Sequence, residues 1–256
     1  MAKAKQTASL NVVQLYPDQM NIYGDNGNAQ IVCRRAELYG YRVKLSAYNS
    51  IVDKDQLLAA DIVLGGGGQD SGQRAILADL QKIKPDLLSL AESKLPMLMI
   101  CGLYQLFGHY FQTKDGDKLD GIGLFDITTV GGDKRLIGNV VISSDEFGEL
   151  IGYENHSGVT MLSDGQAALG RVVQGYGNDG QGLDEGAVRY SAIGTYLHGP
   201  VLSKNPRLAD WLILRAVERK FGDAKLAPAD DAARAELNKL GGLIDKAREV
   251  AKSRPR

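Results

Sequence analysis

Apolar residues fall in two rhythms along this chain: unbroken runs of strand length, and stretches that recur every three or four positions. The two meet in PMLMICGLYQLFG, residues 96–108. An apolar run predicts a strand over 97–100, and Cys101 and Gly102 form a turn. Leu103, Leu106, Phe107 and Tyr110 then continue at helical spacing, which takes His109 into the helix. Upstream, strands are predicted over 10–15, over YRVKLSAY and over DIVLGGGG, with a helix over about 29–38 that ends at Gly40. Asp70 is placed to cap a helix running to about residue 80, and Pro85 starts a second helical run to residue 93. Alternating β and α runs predict an α/β fold, a layered and mostly parallel central sheet flanked by helices.

The pattern changes at Gly121. GIGLFDITTVGGDKRLIGNVVISS alternates apolar and polar residues, as antiparallel strands do. Residues 165–186 are rich in glycine and predict turns and an exposed loop, and GYENHSG also reads as a turn. A strand over AVRYSAIGTYL leads to His198, and Pro206 opens a helix over 207–221. After Pro228 comes an amphipathic stretch interrupted by Gly241 and Gly242. The expected organisation is a globular body over 8–222 and a helical tail over 223–256, with no internal repeat.

Charge and composition narrow the partners. A net charge of −1 over 256 residues gives no electrostatic case for nucleic acid or an anionic membrane. No apolar run has membrane-spanning length, and MAKAKQTASL lacks the apolar core of a secretion signal. The two cysteines, Cys33 and Cys101, are too far apart for a metal-ligand pair, so no metal is expected, and sparse thiols suit a reducing compartment. The expected location is cytoplasmic, with Cys33 as packing inside a helix.

Cys101 carries the candidate chemistry. A cysteine on a strand-to-helix turn sits where backbone N–H groups and the positive end of a helix converge, the setting of a nucleophile. The same position also suits a buried core cysteine. Among three histidines, His198 stands at a strand end facing a loop, where open α/β sheets bind ligands, and is the best-placed base. His109 fits a surface or packing role, and His156 a pocket wall. In the loop Gly65 to Asp70, backbone N–H groups can approach a developing oxyanion. Asp70 there would repel phosphate, and a plain tight turn is the other reading.

Taken together, LYPDQMNIYGDNGN, GGGGQDSGQ, ICGLYQLFG, GYENHSG and GTYLHGPVLSKNPRLADWLI resemble the class I glutamine amidotransferases of the cobyric-acid-synthase type. More closely, they resemble the peptidoglycan-amidating branch of that family, the glutaminase subunits of lipid II isoglutaminyl synthases. The resemblance runs from about residue 10 to 221 and implies a flavodoxin-like, class I amidotransferase sheet. It implies that Cys101 attacks the side-chain amide of L-glutamine, releasing ammonia and leaving a thioester that water hydrolyses. His198 would be general base and acid, with the N–H groups of Gly67 and Gly102 as candidates for the oxyanion hole. Arg135 matches the family position that holds glutamine, where its fork can pair the α-carboxylate. Without the resemblance it reads as a solvated strand-edge arginine.

Two positions depart from the family pattern. Pro200 stands where many class I members place a glutamate two residues after the histidine, and Leu103 stands where a second glycine is common. The expectation is therefore that no carboxylate of this chain reaches His198, and that a partner completes or aligns the site. The resemblance implies that partner to be a Mur-ligase-like, ATP-dependent synthetase subunit forming a heterodimer. It would hold ATP and Mg, act on lipid II, and use the ammonia to convert D-glutamate to D-isoglutamine. No cofactor is expected in this chain. A catalytically idle docking subunit, a glutaminase component of a cobyrinate-type enzyme, and a stand-alone cysteine hydrolase remain as other readings.

Overall fold

A computed structural model describes residues 8–222 and 225–254. Positions 223–224 and 255–256 of the expected tail lie outside the described residues. The first sheet contains six strands: β1 (Ser9–Leu15), β2 (Arg42–Tyr48), β3 (Ile62–Gly65), β4 (Met97–Ile100), β11 (Ala187–Arg189) and β12 (Ala192–Thr195). Their order is β11-β12-β4-β3-β1-β2, all neighbours parallel except the β11–β12 hairpin at one edge. β3, β4 and β12 are buried at every residue, which is why they read as continuous apolar runs rather than alternating ones. The mostly parallel α/β sheet expected from the sequence is present.

The second sheet is built on two long antiparallel strands, β7 (Ile127–Ser144) and β8 (Gly148–Leu162). On the edge of β7 away from β8, the short strands β5 (Tyr110–Gln112) and β6 (Lys118–Asp120) join at its beginning, and β9 (Gly170–Gln174) and β10 (Asp184–Glu185) at its end. The helices are α1 (Asn26–Leu38), α2 (Lys54–Leu58), α3 (Asp70–Glu92), α4 (Gly102–Leu106), α5 (Pro206–Phe221) and α6 (Asp231–Ser253).

Several boundaries differ from the pattern-based expectation, each for a local reason. Helix α3 is continuous through the exposed Pro85. Its buried stripe, Ile76, Leu80, Ile83, Leu87 and Leu90, runs unbroken past the proline. Burying those side chains at about 1.5–3 kcal/mol each exceeds the roughly 3 kcal/mol that an interior proline costs. Asp70 is the first residue of α3 and Gln69 its cap. Helix α4 stops at Leu106, so His109 lies beyond it, exposed and bonded to Asp126 at 2.7 Å. A side chain at Gly108 would stand 2.5 Å from Ile127 Cγ1, so the backbone there is pressed against β7.

GYENHSG is an interior part of β8, not a turn. AVRYSAIGTYL is a hairpin that reverses at Tyr190, with φ at 55°. The glycine-rich stretch 165–186 contains β9 and β10, and its Asn178 and Glu185 are buried. Helix α6 passes through Gly241 and Gly242 and is held against the second sheet. Arg248 donates to Glu149, and Asn139 Nδ2 donates to the Ala251 carbonyl. Among the described residues, no helix is long and apolar enough to cross a membrane.

Candidate active site

The C-terminal ends of β1, β3, β4 and β12 lie side by side, and each delivers one part of the site. After β4, Cys101 caps α4 with φ 49° and ψ −101°, a backbone region that L-residues rarely occupy. Such a conformation costs on the order of 1–3 kcal/mol and persists only when its surroundings impose it. Here the Cys101 N–H donates to the Thr195 carbonyl at 2.9 Å, and the Gln105 N–H donates to the Cys101 carbonyl at 2.9 Å. The turn is thus fastened to β12 on one side and to α4 on the other.

After β12, the chain joins the edge of β8 through a pair of backbone bonds between His198 and Tyr153, at 2.9 and 3.2 Å. That bridge fixes the backbone carrying the imidazole. After β3, Gly67 passes between the two candidate catalytic side chains. A Cβ on Gly67 would stand 2.9 Å from His198 Cε1 and 3.2 Å from Cys101 Cβ. Only glycine lets the backbone through that gap.

After β1, the loop to α1 supplies Asp25, buried at the helix cap. Its Oδ1 lies 3.3 Å from His198 Nδ1, and its Oδ2 accepts the Gly67 N–H at 2.8 Å. This overturns the expectation that no carboxylate of the chain reaches His198. Pro200 does not orient the ring; an acid from the opposite end of the sequence does. It also revises the role expected for Gly67, whose N–H is committed to Asp25. Burial disfavours the imidazolium, but the Asp25 carboxylate and the Cys101 sulfur outweigh it, and the His198 pKa is pushed up to about 10. Tyr23 covers the imidazole edge-on at 4.5 Å.

A cavity of about 310 Å³ opens beside Cys101. Its wall includes Gly68, Asp70, Arg135, Asn155 and His156. Arg135 reaches the cavity because the β7–β8 register slips between Gly131 and Leu136, a bulge that frees it from the ladder. Its Nε donates to Asn155 Oδ1 at 2.6 Å and its Nη2 to the Tyr23 hydroxyl at 2.9 Å, which fixes the guanidinium in the cavity wall. Gly102 begins α4, and a side chain on it would stand 3.0 Å from the Gly68 nitrogen.

Cys101 and Arg135 therefore line one cavity, with His198 and Gly67 packed against Cys101 and Gly102 following it in the chain. Asp25, Tyr23 and Asn155 were not singled out from the sequence. The one signal for the first two was the segment MNIYGD, which carried part of the resemblance but no assigned role.

Residues 11–206 match the CobB/CobQ-like glutamine amidotransferase domain. The chain is 37% identical over 247 residues to the lipid II isoglutaminyl synthase (glutamine-hydrolyzing) subunit GatD of Staphylococcus aureus, spanning 96% of this chain and 99% of that one. The GatD subunit of Streptococcus pneumoniae is 37% identical over 222 residues, covering 86% of this chain and 85% of that protein. A cobyric acid synthase from Thermodesulfovibrio yellowstonii is 30% identical over 169 residues, but these make up only 33% of its length. A crystal structure of a glutamine amidotransferase superposes with a TM-score of 0.58 at 14% identity, covering 80% of this chain and 98% of that one. The fold, the clustered motifs and these relatives agree, and the chain belongs to the CobB/CobQ-like glutamine amidotransferase family.

Proposed function

We propose that this chain is the glutaminase subunit of a two-subunit lipid II isoglutaminyl synthase, and that its Cys101 hydrolyses L-glutamine. The observation that carries the proposal is the meeting of Cys101, His198 and Asp25 around Gly67, beside a cavity that Arg135 lines. Arg135 pairs the α-carboxylate of glutamine, which lays the side-chain amide toward Cys101. The Cys101 sulfur attacks the amide carbon, and the oxygen becomes an oxyanion. The Gly102 N–H, at the first position of a helix and so without an acceptor inside it, stabilises that charge together with the Gly68 N–H.

His198 then gives the proton on Nε2 to the departing nitrogen. The C–N bond breaks, ammonia leaves, and a γ-glutamyl thioester remains. The neutral ring next takes a proton from water, which attacks the thioester and releases glutamate and the thiol. Asp25 receives Nδ1–H throughout, keeping the working nitrogen turned to the sulfur.

The similarity to the GatD subunits supports the rest of the proposal. The ammonia passes to a Mur-ligase-like partner that uses ATP and Mg to activate the D-glutamate α-carboxylate of lipid II, in the cytoplasm. In the reconstituted pair, Cys101→Ser should abolish glutamine-dependent amidation of lipid II but leave ammonium-dependent amidation intact. Equal loss with ammonium would give Cys101 a structural or interfacial role instead.

A further inference from the structure

His156 belongs to the cavity but has no part in the chemistry above. It lies within β8, is 3% exposed, and forms part of the wall shared with Cys101 and Arg135. Its Nδ1 is 2.8 Å from the Gly158 carbonyl oxygen, which can only accept, so Nδ1 carries the hydrogen. The imidazole lies flat on the Tyr196 ring, with centroids 3.6 Å apart and planes 5° from parallel. The Tyr196 hydroxyl is itself held by Thr160 at 2.6 Å and Gln105 at 3.0 Å, so the ring is clamped in place.

Burial and the nearby charges of His198 and Arg135 outweigh the Gly158 bond and hold the His156 pKa down at about 4, leaving the ring neutral at physiological pH. Its Nε2 is then a buried lone pair, and among the described residues it has no hydrogen-bond partner. A buried acceptor left unpaired costs roughly 1–3 kcal/mol, so a clamped one in a cavity wall is suited to a donor that arrives with the ligand.

Glutamine, if the function proposed above holds, brings two kinds of N–H donor: the α-ammonium and the side-chain amide. Register decides between them. His156 pairs across the ladder with Leu136, next to Arg135, and follows Asn155, which bonds Arg135. Asn155, His156 and Arg135 line the same wall, and the Arg135 charge acts on His156, so a ligand with its α-carboxylate on Arg135 carries its α-ammonium within reach of this side. A neutral acceptor there takes an ammonium N–H without competing for the Arg135 guanidinium.

We propose that His156 is the substrate-orienting residue that recognises the α-ammonium of glutamine through Nε2. The test measures binding of L-glutamine and of glutaramate, which lacks the α-amino group, to the Cys101→Ala protein by calorimetry. His156→Asn keeps a donor for Gly158 but loses the distal acceptor, whereas His156→Gln can set an amide oxygen near the Nε2 position. The preference for L-glutamine over glutaramate should fall about tenfold or more with Asn and be largely retained with Gln. An unchanged preference in His156→Asn, or equal weakening of both ligands by both variants, would overturn the assignment. Failure of the Cys101→Ala protein with intact His156 to bind glutamine at all would instead overturn the glutaminase reading on which it rests.

Discussion

Asp25 and His198 are 173 positions apart in the sequence, yet Asp25 Oδ1 lies 3.3 Å from His198 Nδ1 with both side chains 1% exposed. The second oxygen of Asp25 takes the Gly67 N–H. One carboxylate thus orients the proposed base and shapes the glycine loop that passes between base and nucleophile. The carboxylate that orients His198 therefore comes from this chain and not from a partner.

Asp25→Asn should lower kcat for glutamine hydrolysis by roughly 10²–10⁴-fold, the range for losing the group that orients a catalytic imidazole. The amide can still accept from Gly67, so the melting temperature should stay within a few degrees of wild type. The pH profile separates orientation from simple damage. His198 keeps its proton up to about pH 10 because of Asp25 and Cys101, so wild-type activity should decline only as pH approaches that value. Without the Asp25 charge that alkaline limb should move down. A limb that stays put would remove Asp25 from the relay.

Gly67→Ala should be worse for chemistry than for folding. The new methyl would stand 2.9 Å from His198 Cε1 and must push the ring away from Cys101. Turnover should drop at least about tenfold while KM changes little, since the methyl points at the relay rather than toward Arg135. Steady-state kinetics beside a thermal melt checks this, and unchanged kcat would contradict the packing.

The nucleophile turn was legible because two independent patterns, an apolar run and a helical spacing, change over at Cys101. The parallel sheet was legible for the same reason: strands buried on both faces have no alternation to lose. Asp25 was not, because it sits in an irregular loop whose only sequence signal is a segment without periodicity. Its contact with His198 depends on the order β12-β4-β3-β1, which brings four loops from distant parts of the chain to one sheet end. Arg135 illustrates the same limit. Its role was suggested by resemblance, whereas its reach depends on a bulge that no local pattern in GGDKRLIGN announces. Pro85 misled because a helix breaker was weighed without the buried stripe that spans it.

Arg135→Lys keeps the charge but not the planar fork that bonds Asn155 and Tyr23 together. KM for glutamine should rise about tenfold or more with kcat within a few-fold of wild type. Bound glutamine seen with its α-carboxylate remote from Arg135 would refute the role.

Glu185 offers a test of the buried polar layer behind His198. Burial, with help from Glu154, raises its pKa to about 7, although the Tyr196 N–H and the Thr195 hydroxyl both donate to it. The folded carboxyl keeps its proton where the unfolded one, near 4.5, has lost it. Its contribution to stability is therefore complete below about pH 4.5 and is lost as pH rises through about 7. Glu185→Gln should melt near wild type at pH 5 and several degrees higher at pH 8, at roughly 2–4 °C per kcal/mol in a chain of this size. An identical pH dependence in both proteins would contradict the assignment.

If the relay proposed around Cys101 is complete within this chain, the purified protein hydrolyses glutamine by itself. Ammonia release from L-glutamine by the purified chain, without any partner, tests it most directly when set beside Cys101→Ala. The wild-type protein should release ammonia catalytically and Cys101→Ala none, with both unfolding at similar temperatures. A folded wild-type chain that releases no ammonia, or release that persists in Cys101→Ala, would contradict it.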